Sequence, residues 1–236
     1  MNVTIEDVES VLNDRIASIR EQIARAAERS GRDPSDIRLV AVSKTHPAST
    51  LREAIGFGLN IFGENKVQEA ESKIVELGRD AAEWHLIGHL QSNKARKAVQ
   101  LFDVIQSVDS LELAQRLERI CGEEGRTELR VLIQVDLSGE ATKSGTDVAK
   151  LDELVLFISS CKHLRLQGFM LLPPYSDDPE KTRQYFRKLR DIRDQLLPGG
   201  ELSMGMSHDF EVAIEEGATV VRVGTALFGD RNYVHR

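Results

Sequence analysis

The sequence predicts an α/β fold, a single (β/α)8 TIM barrel with an extra N-terminal helix. Three observations carry that prediction. Short, apolar, β-branched segments recur along the chain, each closed by Gly, Pro or polar turn residues. Segments of helical periodicity fill the gaps between them, and strict alternation of strand and helix builds a parallel sheet. The length, 236 residues, suits eight such units, and no Pro-rich or low-complexity linker divides it, so one domain over residues 1–236 is expected. The rival fold is an open doubly wound sheet. Its mark would be a Gly-x-Gly-x-x-Gly turn after the first strand, where this chain instead reads Ser43-Lys44-Thr45-His46-Pro47.

The elements follow in order. Residues 5–30 carry Val8, Val11, Leu12, Ile16, Ile19 and Ile23 at steps of three and four, a helical stripe that Gly31 and Pro34 end. Strands are predicted at Leu39–Val42, Ile61–Gly63, Trp84–Ile87, Val104–Ser107, Leu129–Val135, Leu166–Met170, Leu202–Met204 and Val220–Val223. Helical patterns between them run Ser49–Gly56, Lys66–Leu77, Asn93–Val99, Ser110–Ile120, Val148–Ser159, Pro179–Leu196 and Phe210–Glu215.

Bulk composition narrows the function classes. Hydrophobic residues make up 41% and charged residues 29%, the balance of a chain that buries a core without metals or disulfides. A formal net charge of -7 argues against a nucleic-acid binder, whose footprint is basic. Cys121 and Cys161 are too few and too far apart for a cysteine zinc site and read as reduced thiols. The acidic, amphipathic start is unlike a secretory leader, and no apolar run approaches the roughly 20 residues that span a bilayer. A cytoplasmic protein without membrane or metal is expected.

The chemistry is concentrated at the ends of predicted strands, where parallel α/β folds build their sites. Lys44 closes the first strand, and a partly desolvated lysine at a barrel mouth holds more of the free amine that forms imines. Barrels often bind phosphate with the loops after strands seven and eight. Here those loops carry Gly205 to Ser207 and Gly224-Thr225. Ser207 precedes a predicted helix, so its hydroxyl and the following N–H groups can point at an anion. An amine at one place and a phosphate cradle at another suit a phosphorylated aldehyde, and pyridoxal 5′-phosphate (PLP) is the leading candidate.

Arg222, on the eighth strand, needs a partner if buried: a barrel carboxylate, or the pyridine nitrogen of the cofactor, which a permanently protonated arginine would keep unprotonated. Asn65, after strand two, is placed to bond a ring hydroxyl or orient Lys44, while Ile87 and Met170 are expected to pack against the ring. His85 is read as a satisfied core histidine, and the run from Gln91 to Lys97 as a solvated helix start rather than a basic patch.

Several separated motifs in this order resemble one known family. They are Leu39 to Thr45, Phe62-Gly63-Glu64-Asn65, Trp84 to Gly88 with Leu90 to Lys94, Lys143-Ser144-Gly145, Ser203 to Ser207, and Val221 to Thr225. Over nearly its whole length the chain resembles the PLP homeostasis proteins, the bacterial YggS type and the eukaryotic proline-synthetase co-transcribed homologue. The resemblance implies a barrel like the N-terminal domain of alanine racemase, with PLP as an internal aldimine on Lys44. It also implies that Arg222 faces the pyridine nitrogen and that Ser207, Gly224 and Thr225 hold the phosphate. His46, Lys66, Asp136 and His208 depart from the commoner family pattern.

Three functions compete. The first is PLP handling in the cytoplasm by a monomer that is not an enzyme, with apo PLP-dependent enzymes as the expected recipients. The second is amino-acid racemisation, which needs an acid/base on the ring face opposite the lysine; in racemases a second domain and a partner subunit complete that site, and a chain this short is expected to have no room for the second domain. The third is a lysine-imine aldolase that uses Lys44 directly on substrate.

Overall fold

The computed structural model describes residues 5–139 and 144–229, with side-chain surroundings from residue 11 onward. The motif residue Lys143 and the side chain of Val8 fall outside these limits. The strands are β1 Arg38–Val42, β2 Ile61–Glu64, β3 Glu83–Leu86, β4 Val104–Val108, β5 Leu129–Asp136, β6 Thr146–Asp147, β7 Leu164–Leu171, β8 Glu201–Ser203 and β9 Val220–Val223. All pair in parallel. Neighbours run β4-β3-β2-β1-β9-β8-β7-β5, and β4 also pairs with β5, so the sheet closes on itself. The closing register sets Arg38 against Val220 and Val40 against Arg222. Among the described strands, β6 stands outside the barrel, attached to the end of β5. The predicted barrel is present, and its seventh and eighth strands are β8 and β9.

Side-chain alternation along each strand sorts the residues into two layers. Outward-facing Ala41, Phe62, Trp84, Ile105, Phe169, Leu202 and Val221 form the main core with the surrounding helices. Phe62 and Trp84, register partners on β2 and β3, hold their rings 5.7 Å apart. Inward-facing Val104, Leu132 and Met170 form a small separate cluster. The other interior positions include His85, Gln106, Ser203 and Arg222, all buried.

The helices are α1 Ile5–Arg29, α2 Ala48–Gly56, α3 Val67–Leu77, α4 Ala95–Leu101, α5 Leu111–Glu124, α6 Leu151–Ser160, α7 Arg183–Leu196, α8 Phe210–Glu215 and α9 Thr225–Phe228. Three predicted helices begin later than their patterns suggested, because 3-10 turns at Ser92–Lys94, Val148–Lys150 and Pro179–Thr182 precede them. Asp147 and Asp178 cap two of these turns by accepting the Ala149 and Glu180 N–H groups. The predicted α1 buries Leu12, Ile16, Ile19 and Ile23 but leaves Val11 exposed. It packs against α8, α9 and α2, and Arg29 bonds Glu211 and Glu215 of α8. Among the described residues, four-residue α9 is the helix that follows β9, and α1 packs beside it on the outside of the barrel. No helix among the described residues is long and apolar enough to cross a membrane.

Candidate functional site

The strand ends open into a cavity of about 550 Å³. Lys44, Asn65, Ile87, Ser207, Arg222, Gly224 and Thr225 all line it. Met170 does not. It is fully buried one layer lower, beside Val104 and Leu132. Residues two apart on a strand share a face at different depths, and Leu172, beyond the end of β7, reaches the cavity instead.

Lys44 sits in a strained turn. The next residue, Thr45, has φ 70°, and Thr45 is the one non-glycine residue with positive φ among those described. A β-branched side chain there costs about 1–3 kcal/mol and persists only when neighbours hold it. The neighbours come from α3. Glu69 accepts the Thr45 N–H, and the Lys73 ammonium donates to the Ser43 carbonyl at 2.7 Å. Lys73 also donates to Glu69 at 2.8 Å and to Glu64 at 2.6 Å, and the Ser43 hydroxyl donates to the same Glu64 oxygen at 2.6 Å. Glu64 is wholly buried, and burial raises its pKa against the pull of Lys73. Burial also acts to raise Glu69, but its bonds to Lys73 and Thr45 outweigh this and lower it. Sequence reasoning quoted Glu64 without a role and missed Lys73. The available signal was a lysine on the buried stripe of Val67, Ala70 and Ile74.

At the other side of the mouth, Ser207 precedes α8 as expected, while Asp209 takes the cap position and accepts the Met206 N–H at 2.8 Å. The Ser207 hydroxyl oxygen instead accepts the N–H groups of Gly224 and Ala226, at 3.2 and 3.4 Å. One hydroxyl thus joins the loops after β8 and β9. Gly205 makes the approach possible: its φ is +89°, and a Cβ there would lie 2.8 Å from the Phe210 Cα. A Cβ on Gly224 would crowd Val42 at 3.3 Å.

Arg222 is fully enclosed, and burial pushes its pKa down to about 10. It donates to the Ser203 hydroxyl at 2.6 Å and to the Leu171 carbonyl at 2.8 Å. Among the described residues no carboxylate lies within ion-pair distance of it. The barrel-carboxylate partner weighed from sequence is therefore not what holds this cation. His85 proves a satisfied core histidine, bonded to Gln106 at 2.7 Å and Glu83 at 2.8 Å, with its pKa lowered by burial.

The residues that depart from the family pattern are dispersed. His46 lines the cavity, its ring 4.9 Å from Phe228, with burial and then Lys73 lowering its pKa. His208, at the rim, bonds the Asp177 carbonyl at 3.0 Å and faces Tyr175. Lys66 is exposed at the start of α3, and Asp136 accepts from Ser138. The basic run is neutralised by Arg96 pairing with Glu123 and Glu124 and by Lys97 pairing with Glu71. Cys121 and Cys161 are unpaired, and burial raises their pKa values to about 11 and about 12.

The family model described as the alanine racemase N-terminal domain matches residues 15–232. The chain belongs to that family. It is 43% identical over 227 residues to the pyridoxal phosphate homeostasis protein of Aquifex aeolicus, covering 93% of this chain and 98% of that relative. The solved structure of PipY from Synechococcus elongatus with PLP bound superposes with a TM-score of 0.81 at 43% identity, over 92% of this chain and 100% of PipY. The alanine racemase of Corynebacterium glutamicum shares the fold at 17% identity and a TM-score of 0.70, and the match spans 64% of that chain.

The donor set suits the cofactor seen in PipY. A buried guanidinium with no carboxylate in ion-pair contact among the described residues, a lysine just past the end of a strand and a hydroxyl tying two glycine-bearing loops line one cavity.

Proposed function

We propose that this chain binds PLP and serves its homeostasis, holding the cofactor covalently through Lys44. The observation that carries the reading is the meeting of Lys44, buried Arg222 and the Ser207–Gly224 junction in one cavity. PLP supplies an aldehyde, a pyridine nitrogen and a phosphate. Lys44 is the amine that condenses with the aldehyde, and the strained turn held by Lys73 and Glu69 aims it. Ser207, Gly224 and Thr225 receive the phosphate through N–H and hydroxyl groups. Arg222 faces the pyridine nitrogen as a donor that cannot give up its proton, which weakens the ring as an electron sink and suits holding over turnover.

The names of the Aquifex relative and of PipY with PLP bound support this reading. The barrel acts as one unit over the whole chain, as a cytoplasmic monomer that passes PLP to apo enzymes. Its two unpaired thiols fit a reducing compartment. Racemisation is disfavoured by the outer wall of the cavity, where Tyr175 is 81% exposed and His208 is also exposed. Water that reaches such a site undermines control of protonation.

The test is the visible absorbance spectrum of the purified protein beside that of Lys44→Ala. An imine band in the parent that is lost in the variant is expected. A colourless parent that takes up no added PLP would defeat the assignment.

A further inference from the structure

The interior of the barrel holds one continuous hydrogen-bonded chain. Arg222 donates to Ser203 Oγ at 2.6 Å, and Ser203 Oγ donates to Gln106 Oε1 at 2.5 Å. Gln106 Nε2 meets His85 Nδ1 at 2.7 Å, and His85 Nε2 meets Glu83 Oε1 at 2.8 Å. Glu83 in turn pairs with Arg130 at 3.1 Å at the opposite end of the barrel from the cavity. Five elements contribute: β9, β8, β4, β3 and β5.

The direction of every bond follows from its two ends. Arginine only donates, so Ser203 must accept and pass its single proton to the Gln106 carbonyl oxygen. The Gln106 amide then presents N–H to His85, whose Nδ1 must accept, leaving the ring proton on Nε2 for Glu83. One tautomer and one amide orientation satisfy all four bonds. Bonds aligned in this way polarise one another, and none can be reversed alone. The second anchor of Arg222, the Leu171 carbonyl, leaves the guanidinium fork no freedom to rotate.

We propose that Ser203 and Gln106 are positioning residues for the cofactor: they fix the guanidinium plane of Arg222 so that its remaining N–H groups meet the pyridine nitrogen. This rests on the reading that Arg222 faces that nitrogen. Neither Ser203 nor Gln106 lines the cavity, so their effect on the cofactor must travel through Arg222.

The test loads apo forms of the full chain with PLP. It records the visible band and the rate of PLP loss, with circular dichroism and melting as controls for folding. Ser203→Ala and Gln106→Met are expected to shift the band and speed PLP loss about tenfold, the size of one lost bond to a charged group. Ser203→Thr and Ser203→Val have the same shape and differ in the hydroxyl. The first is expected to behave as the parent and the second as Ser203→Ala, which separates orientation from packing if Ser203→Ala folds poorly. Equal spectra and equal loss rates for the Thr and Val variants would overturn the proposal. Arg222→Gln decides what has failed. If it alters the band while Ser203→Val does not, the positioning role is wrong and the cofactor reading stands. If Arg222→Gln also matches the parent, Arg222 does not face the ring.

Discussion

Replacing Lys73 by methionine tests the support beneath Lys44. The ammonium donates to Ser43, Glu64 and Glu69 at 2.6–2.8 Å with its side chain only 6% exposed, and Glu64 is wholly enclosed. Methionine keeps the length of the stem and removes the charge. Glu64 would then retain the Ser43 hydroxyl as its one donor, and its second oxygen already has no partner. Removing one member of a buried pair costs about 3–5 kcal/mol, because the other charge stays buried without compensation. In a domain of this size that lowers Tm by about 10 °C.

The assay is urea unfolding followed by the fluorescence of Trp84, the single, fully buried tryptophan. Glu64→Gln in the same chain should restore most of the loss, since it removes the stranded charge. The pH dependence has a definite sign. A carboxyl whose folded pKa lies above its unfolded value penalises folding most at high pH, and the penalty shrinks as pH falls through the folded value. Burial already raises Glu64, and loss of Lys73 raises it further, so the deficit of the variant should narrow on acidification. A deficit below about 1 kcal/mol would show that the pair behaves as a surface ion pair and refute this account. A double variant as weak as the sum of the singles would refute it equally.

Ser207→Ala removes the oxygen that accepts the Gly224 and Ala226 N–H groups, and should speed PLP loss on dialysis about 10- to 100-fold while the imine band remains. Retention equal to that of the parent would contradict the phosphate assignment. Glu83 is held down from 4.5 to about 2, chiefly by its His85 hydrogen bond, with Arg130 and Arg38 also acting against burial. A depressed carboxyl contributes its full stability above the unfolded value and loses it as pH falls toward the folded one, so Glu83→Gln should flatten the stability profile between pH 4.5 and about 2. Gly88→Ala would press its methyl into the Asn65 backbone, where α-carbon and carbonyl already crowd the space. A cost of about 1–3 kcal/mol is expected in unfolding, with weaker PLP binding as the Asn65 loop is displaced.

Much of the fold was legible because local signals agreed. Hydrophobic period, turn residues and strict alternation each pointed to the same strands, and the helix predicted from Phe210 to Glu215 has those bounds in the structure. The errors lay at boundaries. Residues 148–150 and 179–182 begin helical patterns but wind as 3-10 turns, a choice made by capping geometry that periodicity does not encode. Alternation also revealed which face Met170 occupies, but not its depth along the barrel axis.

By itself, the sequence determined the parallel barrel, the placement of Lys44 just past the first strand and of Arg222 on the last, and the small-residue loops after the seventh and eighth barrel strands. These are properties of short segments, set by chain geometry and burial pattern. Only the tertiary structure decided partners. Lys73 reaches Ser43 across 30 positions, Ser207 reaches Gly224 across 17, and Ser203 reaches Gln106 across 97. Lys73 and Ser203 are enclosed where water cannot serve them, so their bonds must be found wherever barrel closure brings a partner, and Ser207 meets Gly224 where closure sets two loops side by side. Closure is a global event, and no local stretch of residues specifies which side chains it will bring together.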